Sequence, residues 1–243
     1  MPHIAVVLAA GEGTRMRSTL PKVVHPVAGR AMIQWVVDAV LGTEPERTVV
    51  VVGHGADAVR PLLPDGVEAC VQEQRLGTGH AVRIALECLD DGGDRPVLVV
   101  PGDTPLVTAS TLRRLRAAFD SSGASVAMLS TRLHDPTGYG RVIRDPDGDV
   151  IGIVEERDAD PATRAVDEVN AGMYLFRGEH LLADLAALGD DNAQGEEYLT
   201  DVVGMMAGRG ERIVAVEVTS DEVIGVNTVA QLEDAERRHP GSD

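Results

Sequence analysis

The chain has 243 residues, 44% of them apolar and 25% charged, enough to bury a sizeable core and ordinary for a soluble globular protein. Its formal net charge of −17 argues against nucleic acid and anionic membranes as partners, and no apolar run approaches the roughly 18 residues that span a bilayer. Met1-Pro2-His3 carries no basic region or cleavage site, so a cytoplasmic location is expected.

With aromatics at 2%, the core must rest on Val, Leu, Ile and Ala. His3–Ala9, apolar on both faces, predicts a fully buried strand. Residues 31–41 set Met32, Trp35, Val36, Ala39 and Val40 at helical spacing. A strand over 47–53, a short helix over 56–63, a strand over 67–72, a helix over 77–89 and a strand over 95–103 follow. The next helix opens at Ser110, read as its N-cap. This order predicts an α/β, Rossmann-like, doubly wound and mostly parallel sheet, which takes its ligands beyond the carboxyl ends of the strands.

The second half predicts a smaller mixed β extension. It reads as a strand over 124–133, a hairpin over 139–156 turning at Asp145-Pro146-Asp147-Gly148, and a strand over 166–176. Helices near 180–188 and 197–207, a strand over 212–218 and a helix over 228–238 complete the chain. No repeat or low-complexity linker divides it, so a single domain is expected.

Cys70 and Cys88 stand 18 apart without a CxxC pattern, and two buried thiols are expected rather than a metal site. The acidic run before Val150, with Glu156, imitates part of a calcium loop but has valine where glycine is required. His25, His54 and His80 form no metal-binding pattern and read as loop or core residues, and Asp90, Asp91 and Asp94 as a solvated loop.

The stretch "GEGTRMRSTLPK" (Gly11–Lys22) ends on the only lysine among 22 Lys and Arg residues. It is not a dinucleotide fingerprint, because Met16 stands where a third glycine is needed. Nor is it a P-loop, because Lys22 lies between Pro21 and Val23. What remains is a small-residue turn straight off a buried strand. Ala9, Ala10, Gly11 and Gly13 would let backbone N–H groups approach a phosphate, with Arg15 and Lys22 adding cations. The alternative is a tight connection whose glycines serve geometry and whose basic side chains face solvent.

"LAAGEGTRM" followed by "LPK" resembles the sugar-phosphate nucleotidylyltransferase family. The blocks "VQEQRLGTGHA", "GDTPL", "DPTGYGRVIR", "GIVEERDA", "EVNAGMY", "NAQGEEYLTDVV" and "GVNTVAQL" narrow the resemblance to the N-acetylglucosamine-1-phosphate uridylyltransferases. The resemblance implies Mg²⁺-dependent attack of a sugar-1-phosphate oxygen on the α-phosphorus of UTP, with UDP-N-acetylglucosamine and pyrophosphate as products. The nucleophile is already anionic, so the task is to join two polyanions rather than to remove a proton. By the same resemblance Arg15 and Lys22 are the catalytic cations, and Leu8, Ala9, Ala10, Gly11, Gly13, Gln72, Gly77 and Thr78 bind the nucleotide. Gly140, Glu155, Asn170, Tyr198 and Thr200 would bind the sugar, and Asp103 and Asn227 the metal. Arg is a planar fork and Lys a compact point charge, so a lysine retained at Lys22 suggests a crowded phosphate.

The implied organisation is a nucleotide-binding core over 1–133, a sugar-binding insertion with return strand over 134–227, and a C-terminal helix over 228–243. Departures from the family pattern at Pro101, at Ala171 and in "VNTVAQL" bear on sugar identity more than on chemistry. The bacterial enzyme of this kind continues into a β-helix of hexapeptide repeats with acetyltransferase activity. None follows here, so neither acetyl transfer nor a trimer is expected and no oligomer is implied. Two other readings stay open: the same chemistry with another sugar phosphate, cyclitol phosphate or nucleotide, and a non-catalytic nucleotide-binding module.

Overall fold

The computed structural model describes residues 2–11, 13–16, 18–90 and 95–239; Asp91 and Asp94 of the acidic loop lie outside them. In chain order the first half runs β1 (Ile4–Ala9), a hairpin of β2 (Pro26–Val27) and β3 (Arg30–Ala31), α1 (Met32–Leu41), β4 (Arg47–Val52) and α2 (Ala56–Val59). β5 (Val67–Val71), α3 (Thr78–Cys88), β6 (Val97–Pro101) and α4 (Ala109–Ser122) follow. The second half runs β7 (Val126–Arg132), β8 (Arg141–Arg144), β9 (Val150–Val154), α5 (Pro161–Arg164) and β10 (Glu168–Phe176). α6 (Gly178–Ala186), α7 (Leu199–Gly208), β11 (Ile213–Glu217), α8 (Ser220–Val223) and α9 (Val229–Arg238) close it.

The main sheet has the order β11-β7-β10-β6-β1-β4-β5, with the β8–β9 hairpin attached through β10. β1, β4, β5 and β6 are parallel, while β10 runs antiparallel to both β6 and β7. The expected mostly parallel α/β architecture is therefore present, with the antiparallel β10 at the junction of the two halves.

Alternation along the central strands divides the core in two. Ile4, Val6, Val49 and Val51 face α3, α6 and α7. Ala5, Val7, Val50 and Val52 face α1 and α4. Both faces are covered by helices, which is why these strands read as unbroken aliphatic runs. From β1 the chain order moves to β4 and β5 on one side, and β6 lies on the other. The loops leaving β1 and β6 therefore diverge and open a crevice at the carboxyl edge.

Two expectations are corrected. The N-cap of α4 is Thr108, not Ser110: Thr108 is extended and its Oγ1 accepts from the Thr111 N–H at 3.2 Å. Both residues are good caps, and the helical ladder opens with Leu112 N–H donating to Thr108 O at 3.1 Å. Cys70 and Cys88 are not two buried thiols but a disulfide, with Cα atoms 6.4 Å apart. Cys70 is buried in β5 and Cys88 exposed at the end of α3. α3 returns across β5 and brings them together, a closure that sequence separation does not reveal.

Candidate active site

The crevice is a cleft of about 810 Å³. One end is built from the stretch after β1: Leu8, Ala9, Ala10 and Gly11 line it, and Lys22 lies beside them. Gly13 does not line the cleft. It takes φ +61, and a Cβ there would sit 2.6 Å from Lys22 Cβ, so its lack of a side chain lets the loop close on Lys22. Arg15 is exposed on a single 3₁₀ turn and also lies outside the lining.

Lys22 Nζ donates to Asp103 Oδ2 and, at 2.8 Å, to Asn227 Oδ1. Asp103 follows β6 and Asn227 precedes α9, so residues far apart in the chain meet at one ammonium group. Backbone bonds support this meeting: Val226 N–H donates to Asp103 O at 2.8 Å, and Asn227 N–H donates to Gln231 Oε1 at 2.8 Å. Two oxygen donors of the hard type converge on a single cationic centre. A small divalent ion that keeps waters and phosphate oxygens in its shell suits such a pair. Among the described residues no group of three or more His, Cys, Asp and Glu forms a metal cage.

Gln72 follows β5 and is buried at the floor of the cleft. Gly77 and Thr78 stand where α3 begins. Gly77 has φ +120, and a Cβ would lie 2.4 Å from Glu197 O, so only glycine permits this close crossing. The crossing is held by Glu197 N–H to Leu76 O at 2.5 Å, Gly79 N–H to Glu197 O at 2.8 Å and Leu199 N–H to Thr78 Oγ1 at 3.0 Å. It joins the two ends of the cleft.

At the other end Thr200 Oγ1 donates to Glu155 Oε1 at 3.0 Å. Burial raises the Glu155 pKa, and this hydrogen bond opposes the rise. Gly140 faces the Glu155 carboxylate, 3.4 Å from where its Cβ would be, without lining the cleft. Asn170 lies at an irregularity in β10, with Nδ2 donating to Tyr174 Oη at 2.6 Å and Oδ1 accepting from Gly172 N–H at 3.0 Å. Tyr198 is buried, does not line the cleft, and its hydroxyl accepts from Gln194 Nε2 at 2.7 Å.

The cleft thus gathers Leu8, Ala9, Ala10, Gly11, Lys22, Gln72, Gly77, Thr78, Asp103, Glu155, Asn170 and Thr200. Asn227 joins them through Lys22. Sequence reasoning missed Arg75, Tyr174 and Glu196, which also line it. Arg75 lies in the β5–α3 loop and borders a side recess shared with Gly11 and His54, adding a cation near the glycine turn. Tyr174 had a readable signal, since Asn170, Gly172 and Tyr174 are alternate residues of one strand. Burial pushes its phenol pKa far up, so it stays protonated. Cations therefore sit by the glycine turn, and carboxylate, amide and hydroxyl groups at the far end. Of the departures, Pro101 lines the cleft, Ala171 packs into the core, and Thr228 caps α9 by accepting from Gln231 N–H at 3.2 Å.

Among the described residues no helix is long and apolar enough to cross a membrane. The chain shares its fold with UDP-glucose pyrophosphorylase in complex with UDP-glucose, with a TM-score of 0.81 at 17% identity over 98% of both chains. It is 48% identical over 234 residues to the bifunctional protein GlmU of Caldanaerobacter subterraneus subsp. tengcongensis, covering 96% of this chain and 51% of that protein. Against GlmU of Thermobifida fusca the identity is 48% over 244 residues, covering 97% and 50%. Against GlmU of Burkholderia mallei it is 49% over 237 residues, covering 96% and 51%. The chain spans about half the length of these curated relatives. Residues 5–204 match the MobA-like NTP transferase domain, and the chain belongs to that family.

Proposed function

We propose that this chain transfers a uridylyl group from UTP to N-acetylglucosamine-1-phosphate, releasing pyrophosphate and forming UDP-N-acetylglucosamine. The observation that carries the reading is the convergence of Lys22, Asp103 and Asn227 beside the small-residue turn, in the cleft that also holds Gln72 and the Glu155–Thr200 pair. The similarity to GlmU proteins supports it.

A phosphate oxygen of the sugar phosphate attacks the α-phosphorus, and the bond to the bridging oxygen of the β-phosphate breaks. No general base is needed, so the cleft has to orient two anions and offset their charge. The Ala9–Gly11 turn offers backbone donors to the triphosphate, and Lys22 supplies a point charge at the reacting end. Arg15, exposed on its turn, would meet the departing pyrophosphate. Gln72 reads the base, with Gly77 and Thr78 beside it. Glu155, Asn170 and Thr200 hold sugar hydroxyl and amide groups, with Gly140 leaving room and Tyr198 supporting the wall. Asp103 and Asn227 would hold Mg²⁺, which when bound offsets charge on phosphate oxygens. The reading places the chain in the cytoplasm, where nucleoside triphosphates are made.

The test is pyrophosphate release from a matrix of nucleoside triphosphates and sugar phosphates, with the nucleotide sugar identified by mass. The proposal requires UTP with N-acetylglucosamine-1-phosphate to be the best pair. Another best pair would keep the chemistry and move the substrate; release from no pair, with UTP still bound, would leave a binding module.

A further inference from the structure

The nucleotide end of the cleft contains a hydrogen-bond relay that reaches beyond the residue touching the base. Gln72 and His80 are 3% and 7% exposed, so each of their polar atoms needs a partner, from the protein or from whatever the cleft holds. Gln72 Nε2 lies 3.0 Å from Gly77 O and 2.8 Å from His80 Nδ1. A carbonyl only accepts, so the atom facing Gly77 O must be the amide nitrogen. Its second hydrogen then goes to His80 Nδ1, which must act as an acceptor, and the imidazole proton resides on Nε2. Both hydrogens of the Gln72 amide are thereby used. Among the described residues nothing donates to Gln72 Oε1, and Gln72 lines the cleft.

We infer that His80 is a positioning residue for base selection, locking the Gln72 amide with its oxygen toward the cleft. The site then takes a pyrimidine offering a ring N–H, as uracil does at N3, and rejects cytosine, whose N3 offers a lone pair. This rests on the reading of Gln72 as the base-reading residue. Without the His80 acceptor only the bond to Gly77 O holds the amide, its second hydrogen goes unpaired, and the orientation and the selection that depends on it weaken. Burial, reinforced by Arg83 and opposed by Glu197 and Glu87, lowers the His80 pKa and keeps Nδ1 free of a proton at neutral pH.

The experiment measures dissociation constants for UTP and CTP by calorimetry at neutral pH in wild type, His80→Leu, His80→Asn and Gln72→Leu. Wild type is expected to prefer UTP, and His80→Leu to narrow that preference by about tenfold or more. His80→Asn, whose side-chain oxygen comes near the Nδ1 position, is expected to keep most of it. A merely structural role would weaken both nucleotides alike and leave the ratio unchanged. An unchanged ratio in His80→Leu with a collapsed ratio in Gln72→Leu overturns the role of His80 and leaves the reading of Gln72 intact. An unchanged ratio in Gln72→Leu, or a wild type without preference, overturns that reading and the inference with it. Should His80→Leu fail to fold, His80→Phe removes the acceptor while retaining a ring.

Discussion

Replacing Gly77 by alanine tests the crossing that joins the two ends of the cleft. At φ +120 and ψ −179 a non-glycine residue is strained by about 1–3 kcal/mol. The new Cβ would also lie 2.4 Å from Glu197 O and 2.7 Å from Glu197 N, both backbone atoms that cannot swing aside. Relieving that overlap parts residues 76–79 from 197–199. It weakens the bonds from Glu197 N–H to Leu76 O and from Gly79 N–H to Glu197 O, each worth about 0.5–1.5 kcal/mol. The sum is about 2–6 kcal/mol, a large part of the roughly 5–15 kcal/mol that holds a domain together. Gly66→Ala is the control: it has φ +85 with nothing within 4 Å of the added Cβ, so only conformational strain of about 1–2 kcal/mol applies. Urea unfolding followed by the fluorescence of Trp35, the only tryptophan, reads both. A Gly77→Ala protein no less stable than Gly66→Ala would refute the steric argument.

Other substitutions and conditions carry definite expectations. Arg141, 1% exposed, pairs with Glu156 at 2.8 Å and donates to the carbonyls of Val166, Arg164 and Tyr139, so Arg141→Met should lower unfolding stability by about 3–5 kcal/mol in a denaturant titration. His3 is held neutral by burial and by Arg116, which donates to its Nδ1, and its pKa falls from 6.5 to about 4. The stability from that preference is complete above pH 6.5 and is lost as pH falls toward 4. Wild type should lose about 2 kcal/mol over that interval that a His3→Phe protein does not. Thr200→Val removes the donor to Glu155 and should raise the KM for the sugar phosphate by roughly 5- to 30-fold, with little change for UTP.

The central fold was readable because its strands bury both faces and its helices keep a regular apolar spacing. The β2–β3 hairpin was not, since two-residue strands leave no periodic trace. The cleft residues named from the family motifs converge where the strand order reverses, which the alternation of strands and helices implied. The sequence could not supply what depends on long-range closure. Cys88 meeting Cys70, Glu197 crossing Gly77, and Lys22 bonded to both Asp103 and Asn227 each require segments whose approach no local pattern encodes. His80 read as a loop or core histidine, and only its distance to Gln72 gives its burial a use.

The most direct measurement follows UTP labelled at its α-phosphorus in the presence of N-acetylglucosamine-1-phosphate and Mg²⁺, for wild type and Lys22→Arg. The label should pass into the nucleotide sugar with one pyrophosphate released for each transfer. Lys22→Arg should lose at least about a hundredfold in rate while still binding UTP, because a planar fork cannot replace the point charge that Lys22 brings to the reacting end beside Asp103 and Asn227. Undiminished transfer by Lys22→Arg, or label that stays in UTP with the wild-type protein, would contradict it.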